Sequence, residues 1–289
     1  MTITILDGGM GQELVARLSD QPTPLWATQF MIDHPDTVRA IHADYFNAGA
    51  TVATANTYAI QHDRLNKQGR DDEFADLHAL ALNLASEARD IHGMGQVAAS
   101  LGPLGWSYLP DAPEPAVAAA LFAEIVDLHA PHADLFLAET VSSLIAARGV
   151  FQGMAGATIP RWIAFSVDDT DGTKLRSGEP VAEVRPLIEQ FAPDAVLINC
   201  ARPEAVSQAL PSVLPIGLPT GAYANGFTYI TTGFAKPGQT VAQLEARTDL
   251  TPDRYADFAE DWAEAGVTII GGCCEISPAH IAAVHRRLV

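Results

Sequence analysis

Short apolar runs alternate with longer stretches in which apolar residues recur at helical spacing, from one end of the chain to the other. The runs Ile3–Leu6, Thr51–Thr54, Gln96–Ser100, Asp134–Ala138, Trp162–Val167, Ala195–Asn199, Gly221–Tyr223 and Val267–Ile270 have the length and residue types of strands. Helical patterns with recognisable ends lie between them. Pro35-Asp36 leads into Val38–Ala48, which stops at Gly49; Asp71–Ile91 stops at Gly93; Ser277-Pro278 opens a terminal helix to Leu288. Pro186 falls inside the Val181–Phe191 pattern and predicts a kink or a late start there. Strand followed by helix, eight times, predicts an α/β protein with a (β/α)8 (TIM) barrel, one domain spanning residues 1–289. That fold typically takes about 250 residues, and insertions such as Thr231–Leu250 take up the excess.

The barrel predicts where chemistry belongs, because such folds carry their functional groups at the C-terminal ends of the strands and in the loops that follow. Polar residues in those positions are Asp7 with Gly8-Gly9, Asn56-Thr57-Tyr58, the stretch Ser100–Pro103, Glu139-Thr140 and the stretch Tyr223–Gly226. All three cysteines obey the same rule. Cys200 ends the apolar run that starts at Ala195, and Cys273 and Cys274 follow Val267–Ile270.

Three convergent thiolates suit zinc, which favours tetrahedral sulfur-rich sites and in catalytic sites keeps one position open for substrate. Rival readings of the same residues exist. Buried inert cysteine is the main one. A disulfide between adjacent Cys273 and Cys274 would close a strained ring, and a bridge from Cys200 to either is disfavoured because nothing marks the chain as secreted. Of nine histidines, His42, His78, His129 and His285 fall within helix patterns and read as packing or surface residues. His62 and His132 lie nearer loops, and no HxxxH-type pair supports a histidine-rich metal site.

Charge and composition narrow the partners. Lys and Arg number 17 against 35 Asp and Glu, a formal charge of −18, so the surface should repel nucleic-acid backbones and anionic lipid. The N-terminus enters an alternating apolar pattern with no basic segment before it, and no run approaches the ~18 apolar residues of a membrane span. A soluble cytoplasmic protein is expected, monomeric or a small homo-oligomer.

With these residues in view the chain resembles the homocysteine S-methyltransferase family, zinc enzymes on a (β/α)8 barrel that methylate homocysteine to methionine. The resemblance runs the whole chain. It rests on Asp7-Gly8-Gly9 with Glu13-Leu14, the stretches Thr54–Tyr58 and Ser100–Pro103, Glu139-Thr140, Asn199-Cys200 with Pro203, and the stretch Gly271–Cys274. It implies Cys200, Cys273 and Cys274 as zinc ligands and Asp7 and Glu139 as the clamp on the homocysteine amino group. Gly8, Gly9, Thr57 and Asn225 join these as candidate substrate-binding residues.

Two positions depart from the family pattern. Ala224 stands where relatives often have Pro, and Glu275 follows the double cysteine where many have Arg or Gly. Without an extension of the betaine-using kind, or a folate or cobalamin domain, the resemblance is to short enzymes that use S-methylmethionine or another sulfonium. Betaine or S-adenosylmethionine as donor and a selenol or another small thiol as acceptor are the enzymatic alternatives. A zinc-binding or thiol-buffering protein is the non-enzymatic one, and it has no need of an acidic clamp beside the metal.

Overall fold

The computed structural model describes residues 2–18, 25–230 and 243–289. Eight strands form one sheet: β1 (Thr4–Ile5), β2 (Val52–Thr54), β3 (Gln96–Leu101), β4 (Leu135–Val141), β5 (Arg161–Phe165), β6 (Ala195–Asn199), β7 (Thr220–Ala224) and β8 (Ile269–Gly272). They run in the order β1-β8-β7-β6-β5-β4-β3-β2, every pair parallel. The ends of this order meet through a parallel bridge between Leu6 and Val52. Thr51 N donates to Ile5 O at 2.7 Å and Asp7 N donates to Val52 O at 3.1 Å across the same seam. The expected (β/α)8 barrel is the observed fold.

Strand β6 shows why runs read as continuously apolar. All five of its residues are buried; Ala195 and Leu197 pack in the barrel interior with Leu6, Leu137 and Ile269, whereas Val196 and Ile198 join the layer between sheet and helices. Both faces of a parallel strand are covered, so period-two alternation disappears. Gly221 in β7 keeps the interior open for Leu197, whose side chain a Cβ at that position would strike.

Helix boundaries follow the local chemistry. A 3-10 turn, Val181–Val184, precedes the helix Arg185–Phe191, which carries Pro186 in its first turn, where the missing N–H is not needed. That is the late start. The pattern expected to begin at Asp71 opens with a 3-10 turn, Asp71–Glu73, before the helix Phe74–His92, and Gly93 ends it at a left-handed φ of 87°. No described helix is long and apolar enough to cross a membrane. Of the insertion expected over Thr231–Leu250, residues 231–242 lie outside the described residues. Beyond them the chain returns to pair Ala246 antiparallel with Phe227.

Candidate active site

Cys200 sits in the turn that leaves β6, with a left-handed φ of 51° that a side chain adopts only when its surroundings enforce it. The enforcing bonds are visible. Its N–H donates to Tyr223 O at 3.1 Å, and its carbonyl accepts from Arg176 Nη2 at 3.0 Å. Arg176 is itself buried, pairs with Asp169 at 3.3 Å and donates through Nε to Ser166 Oγ at 2.8 Å.

Cys273 and Cys274 leave β8 against the loop that leaves β1. Gly272 N donates to Asp7 O and Gly9 N to Ile276 O, each at 2.9 Å. A Cβ on Gly9 would stand 2.9 Å from Cys273 O. The paired glycines of both segments, Gly8-Gly9 and Gly271-Gly272, are therefore one requirement: two backbones must touch. From the helix Pro252–Glu264, the buried Tyr255 hydroxyl donates to Gly271 O at 2.6 Å and accepts from Ala224 N at 3.1 Å, tying β7 to β8 just before the cysteines.

All three sulfurs lie within 4.8 Å of one another. Cys200 and Cys273, with Cα atoms 5.6 Å apart, are joined as a disulfide, and Cys274 is free. This corrects the expectation that a Cys200 bridge is disfavoured. That expectation weighed only the cell compartment, whereas β6 and β8, each paired to β7, bring their ends to one point. Tyr108 Oη stands 3.1 Å from Cys200 Sγ. Burial pushes the Cys274 thiol up to about 12, with the Glu275 and Glu139 charges adding to the rise.

Two carboxylates share this mouth. Asp7, 4% exposed, accepts from Thr54 N at 2.7 Å and from Thr54 Oγ1 at 2.8 Å. Burial lifts its carboxyl to about 7 against the pull of those bonds, and the Glu139 charge contributes to the lift. Glu139 accepts from Ser100 Oγ at 2.5 Å and from Tyr223 Oη at 3.3 Å; burial carries it to about 7 as well. It lies inside β4, where the sequence reading placed it just past a strand ending at Ala138. The β4–β5 register shifts between Ala138 and Val141, and Thr140 has φ 58°, a local irregularity that leaves Glu139 and Thr140 both lining the mouth.

Asp7, Gly8, Gly9, Glu139 and the three cysteines line one cavity of about 170 Å³. Thr57 and Asn225 do not. The Thr57 hydroxyl is turned to Ser100 O at 2.7 Å, and Asn225 Oδ1 accepts from Phe227 N at 3.1 Å, so both brace loops. The sequence reading missed Trp26, Arg64, Trp106 and Tyr108 as cavity residues. For Trp106 and Tyr108 the available signal was the cluster of aromatic residues in the loop after β3, outside any helical or strand period; Trp26 and Arg64 lie in the segments after β1 and β2 and carried no such mark.

The homocysteine S-methyltransferase family model matches residues 4–288. The chain belongs to that family. Among its relatives, the Escherichia coli homocysteine S-methyltransferase is 28% identical, the match covering 99% of this chain and 95% of the relative. Selenocysteine Se-methyltransferase of Brassica oleracea is 25% identical over 99% of this chain and 88% of that protein. The crystal structure of the metallated form of the homocysteine methyltransferase MmuM from Escherichia coli superposes with a TM-score of 0.83 at 26% identity, covering 99% of this chain and 96% of that one. MmuM has also been solved in an oxidized form, with the same TM-score. The homocysteine S-methyltransferase barrel and its methyltransferase activity are thus shared features of this chain and its relatives.

Proposed function

We propose that this enzyme transfers a methyl group from a small sulfonium donor, S-methylmethionine foremost, to the thiol of L-homocysteine, with zinc held by Cys200, Cys273 and Cys274 in their reduced form. The observation that carries the reading is the convergence of three sulfurs and two buried carboxylates on one cavity. The donor set fits the metal: Zn–S bonds of ~2.3 Å in a tetrahedron place sulfurs roughly 3.8 Å apart, inside the spread found here. Metal binding requires that the Cys200–Cys273 bridge be reduced first.

Zinc, when bound, supplies the positive charge that stabilises a thiol sulfur as thiolate near neutral pH, where a free thiol of pKa about 8.5 is mostly protonated. Asp7 and Glu139 hold the α-ammonium of the acceptor, whose charge favours their ionised forms and counters the rise that burial imposes. Arg176 and Tyr255 fix the two turns that present the sulfurs. As the acceptor sulfur forms its bond to the methyl carbon, the donor's S–CH3 bond breaks. The electron pair leaves with a neutral thioether, so no general acid is required. One proton, that of the acceptor thiol, is released to solvent. In-line positioning carries most of the rate. An acidic mouth favours a cationic donor over a neutral one.

The test is to offer homocysteine and, separately, selenocysteine to reduced, zinc-loaded protein with equal concentrations of methyl-labelled S-methylmethionine, S-adenosylmethionine and betaine. Labelled methionine from S-methylmethionine is the expected result. Transfer from betaine alone would overturn the donor assignment, and methylation of selenocysteine alone would overturn the acceptor.

A further inference from the structure

One wall of the cavity carries a cation that the reaction as proposed leaves without a task. Arg64, on the short helix His62–Asn66, is only 6% exposed and lines the cavity with Trp106 and Tyr58. Its Nε and Nη2 both donate to a single acceptor, Gly105 O, at 3.2 and 2.7 Å. Nη1 makes no hydrogen bond to a described residue, and no described carboxylate stands within ion-pair distance of the guanidinium; Asp63 acts on it only at longer range. The guanidinium carbon lies 5.2 Å from the centre of the Trp106 ring, and Lys67 Nζ is 5.3 Å from the same ring. Two cations therefore share one indole.

Buried charges are ordinarily paired, and a guanidinium has five donors to satisfy. Arg176 shows the ordinary arrangement in this same protein, with a carboxylate, a hydroxyl and a carbonyl around it. Arg64 has one neutral carbonyl. The missing partner is an anion, and the planar fork of a guanidinium matches a carboxylate.

We propose that Arg64 receives the carboxylate of an amino-acid methyl donor, so that the enzyme selects a donor for its carboxylate as well as for its sulfonium. The inference rests on the functional reading above in placing a second substrate in this cavity. The acceptor's amine and sulfur are already assigned to Asp7, Glu139 and the cysteines. Arg64 instead meets the loop after β3. Within that loop Gly105 takes the Arg64 hydrogen bonds, Ser107 Oγ accepts from Tyr58 Oη at 2.7 Å, and Tyr108 reaches Cys200 Sγ. A donor lying along Gly105–Tyr108 has its carboxylate at one end and its reacting methyl beside the sulfur centre at the other.

The experiment measures equilibrium binding, by isothermal titration, of S-methylmethionine and of its carboxamide, which keeps the sulfonium and loses the anion. Wild-type, R64Q and R64K proteins are each titrated, and KM and kcat for donor and for homocysteine are measured alongside. Wild type should bind the carboxylate form roughly 10- to 100-fold more tightly than the amide, the range of one charge-assisted hydrogen bond. R64Q should lose that preference, R64K should keep part of it, and KM for homocysteine should stay within twofold. Equal binding of acid and amide by wild type overturns the proposal without any variant. Equal weakening of both ligands in R64Q overturns it too, since that is the signature of a loosened loop. A rise in homocysteine KM with donor KM unchanged would move the carboxylate to the acceptor and overturn it. If betaine proves to be the donor, betaine against its amide makes the same comparison, so donor identity and the role of Arg64 fail separately.

Discussion

Replacing Glu139 by Gln should make the metal-free protein more stable at alkaline pH while weakening its grip on the acceptor. Burial carries this carboxyl from 4.5 to about 7. Because the folded-state pKa lies above the unfolded-state value, raising the pH ionises the unfolded chain first and draws the equilibrium toward it. The loss is negligible below pH 4.5 and complete above pH 7. A gap of about 2.5 units at 1.36 kcal/mol per unit makes it about 3 kcal/mol. Glu139 is 9% exposed, so solvent screening takes little from this figure. Gln is neutral throughout and has nearly the same shape. It keeps one oxygen for Ser100 or Tyr223 and presents an amide to the other, at roughly 1 kcal/mol for the poorer match. The net gain of about 2 kcal/mol near pH 8.5 amounts to roughly 3 °C in Tm for a chain of this size. Denaturant unfolding of reduced, metal-free wild type and E139Q at pH 5 and pH 8.5 measures it, and the gain should all but vanish at pH 5. In the same variant, homocysteine affinity should fall ~10- to 100-fold, the value of one charge-assisted hydrogen bond. If E139Q were the less stable protein at pH 8.5 and the more stable at pH 5, Glu139 would be an ionised, fully compensated carboxylate in the empty site, and the clamp argument would fail.

Other expected outcomes follow from the same geometry. Cys273→Ser should leave the barrel folded by circular dichroism yet cut bound zinc well below one per chain; full occupancy with normal turnover would refute the ligand assignment. Arg176→Met leaves Asp169 buried without its cation and should cost about 3–5 kcal/mol in unfolding experiments; a loss under 1 kcal/mol would show that the Cys200 turn does not depend on this pair. His42 is fully buried with neither ring nitrogen partnered, and burial lowers it to about 4. Its folded-state pKa lies below the unfolded value of 6.5, so stability present above pH 6.5 is lost as the pH falls toward 4, about 2 kcal/mol of it by pH 5. His42→Leu should abolish that share of acid lability, and unchanged pH dependence in the variant would contradict it.

The parts of this molecule legible in the sequence are those set by local chemistry. Eight apolar runs marked eight strands, and Pro186 marked the start of its helix, because burial period and backbone covalency act over a few residues. The cysteines and Asp7 were legible for a topological reason: in a parallel barrel, whatever follows a strand reaches the same rim. Glu139 was found in the right place by the wrong route, since the irregularity in β4 leaves no mark in the residues around Ala138. Thr57 and Asn225, expected among the substrate-binding residues, stand outside the cavity lining because the Thr57 hydroxyl and Asn225 Oδ1 bond nearby backbone, a choice made by loop geometry. The Cys200–Cys273 pairing and the Arg64–Gly105 contact join residues 73 and 41 positions apart, and no local rule reaches so far.

The seam between β1 and β8 has a consequence for assembly. Cys200 is made before β7, but Cys273 and Cys274 are carried by the last strand in chain order, which slots between β1 and β7. Until that strand docks, the centre holds one sulfur out of three, and Gly8-Gly9 has nothing to lie against. Pairing the first strand with the last is the contact of greatest sequence separation in the sheet, and such contacts form late because the loop they close is longest. A partly folded molecule without β8 therefore brings one of the three sulfurs to the rim, and the zinc proposed above, if held by all three, would tie the turns that leave β6 and β8 on either side of β7.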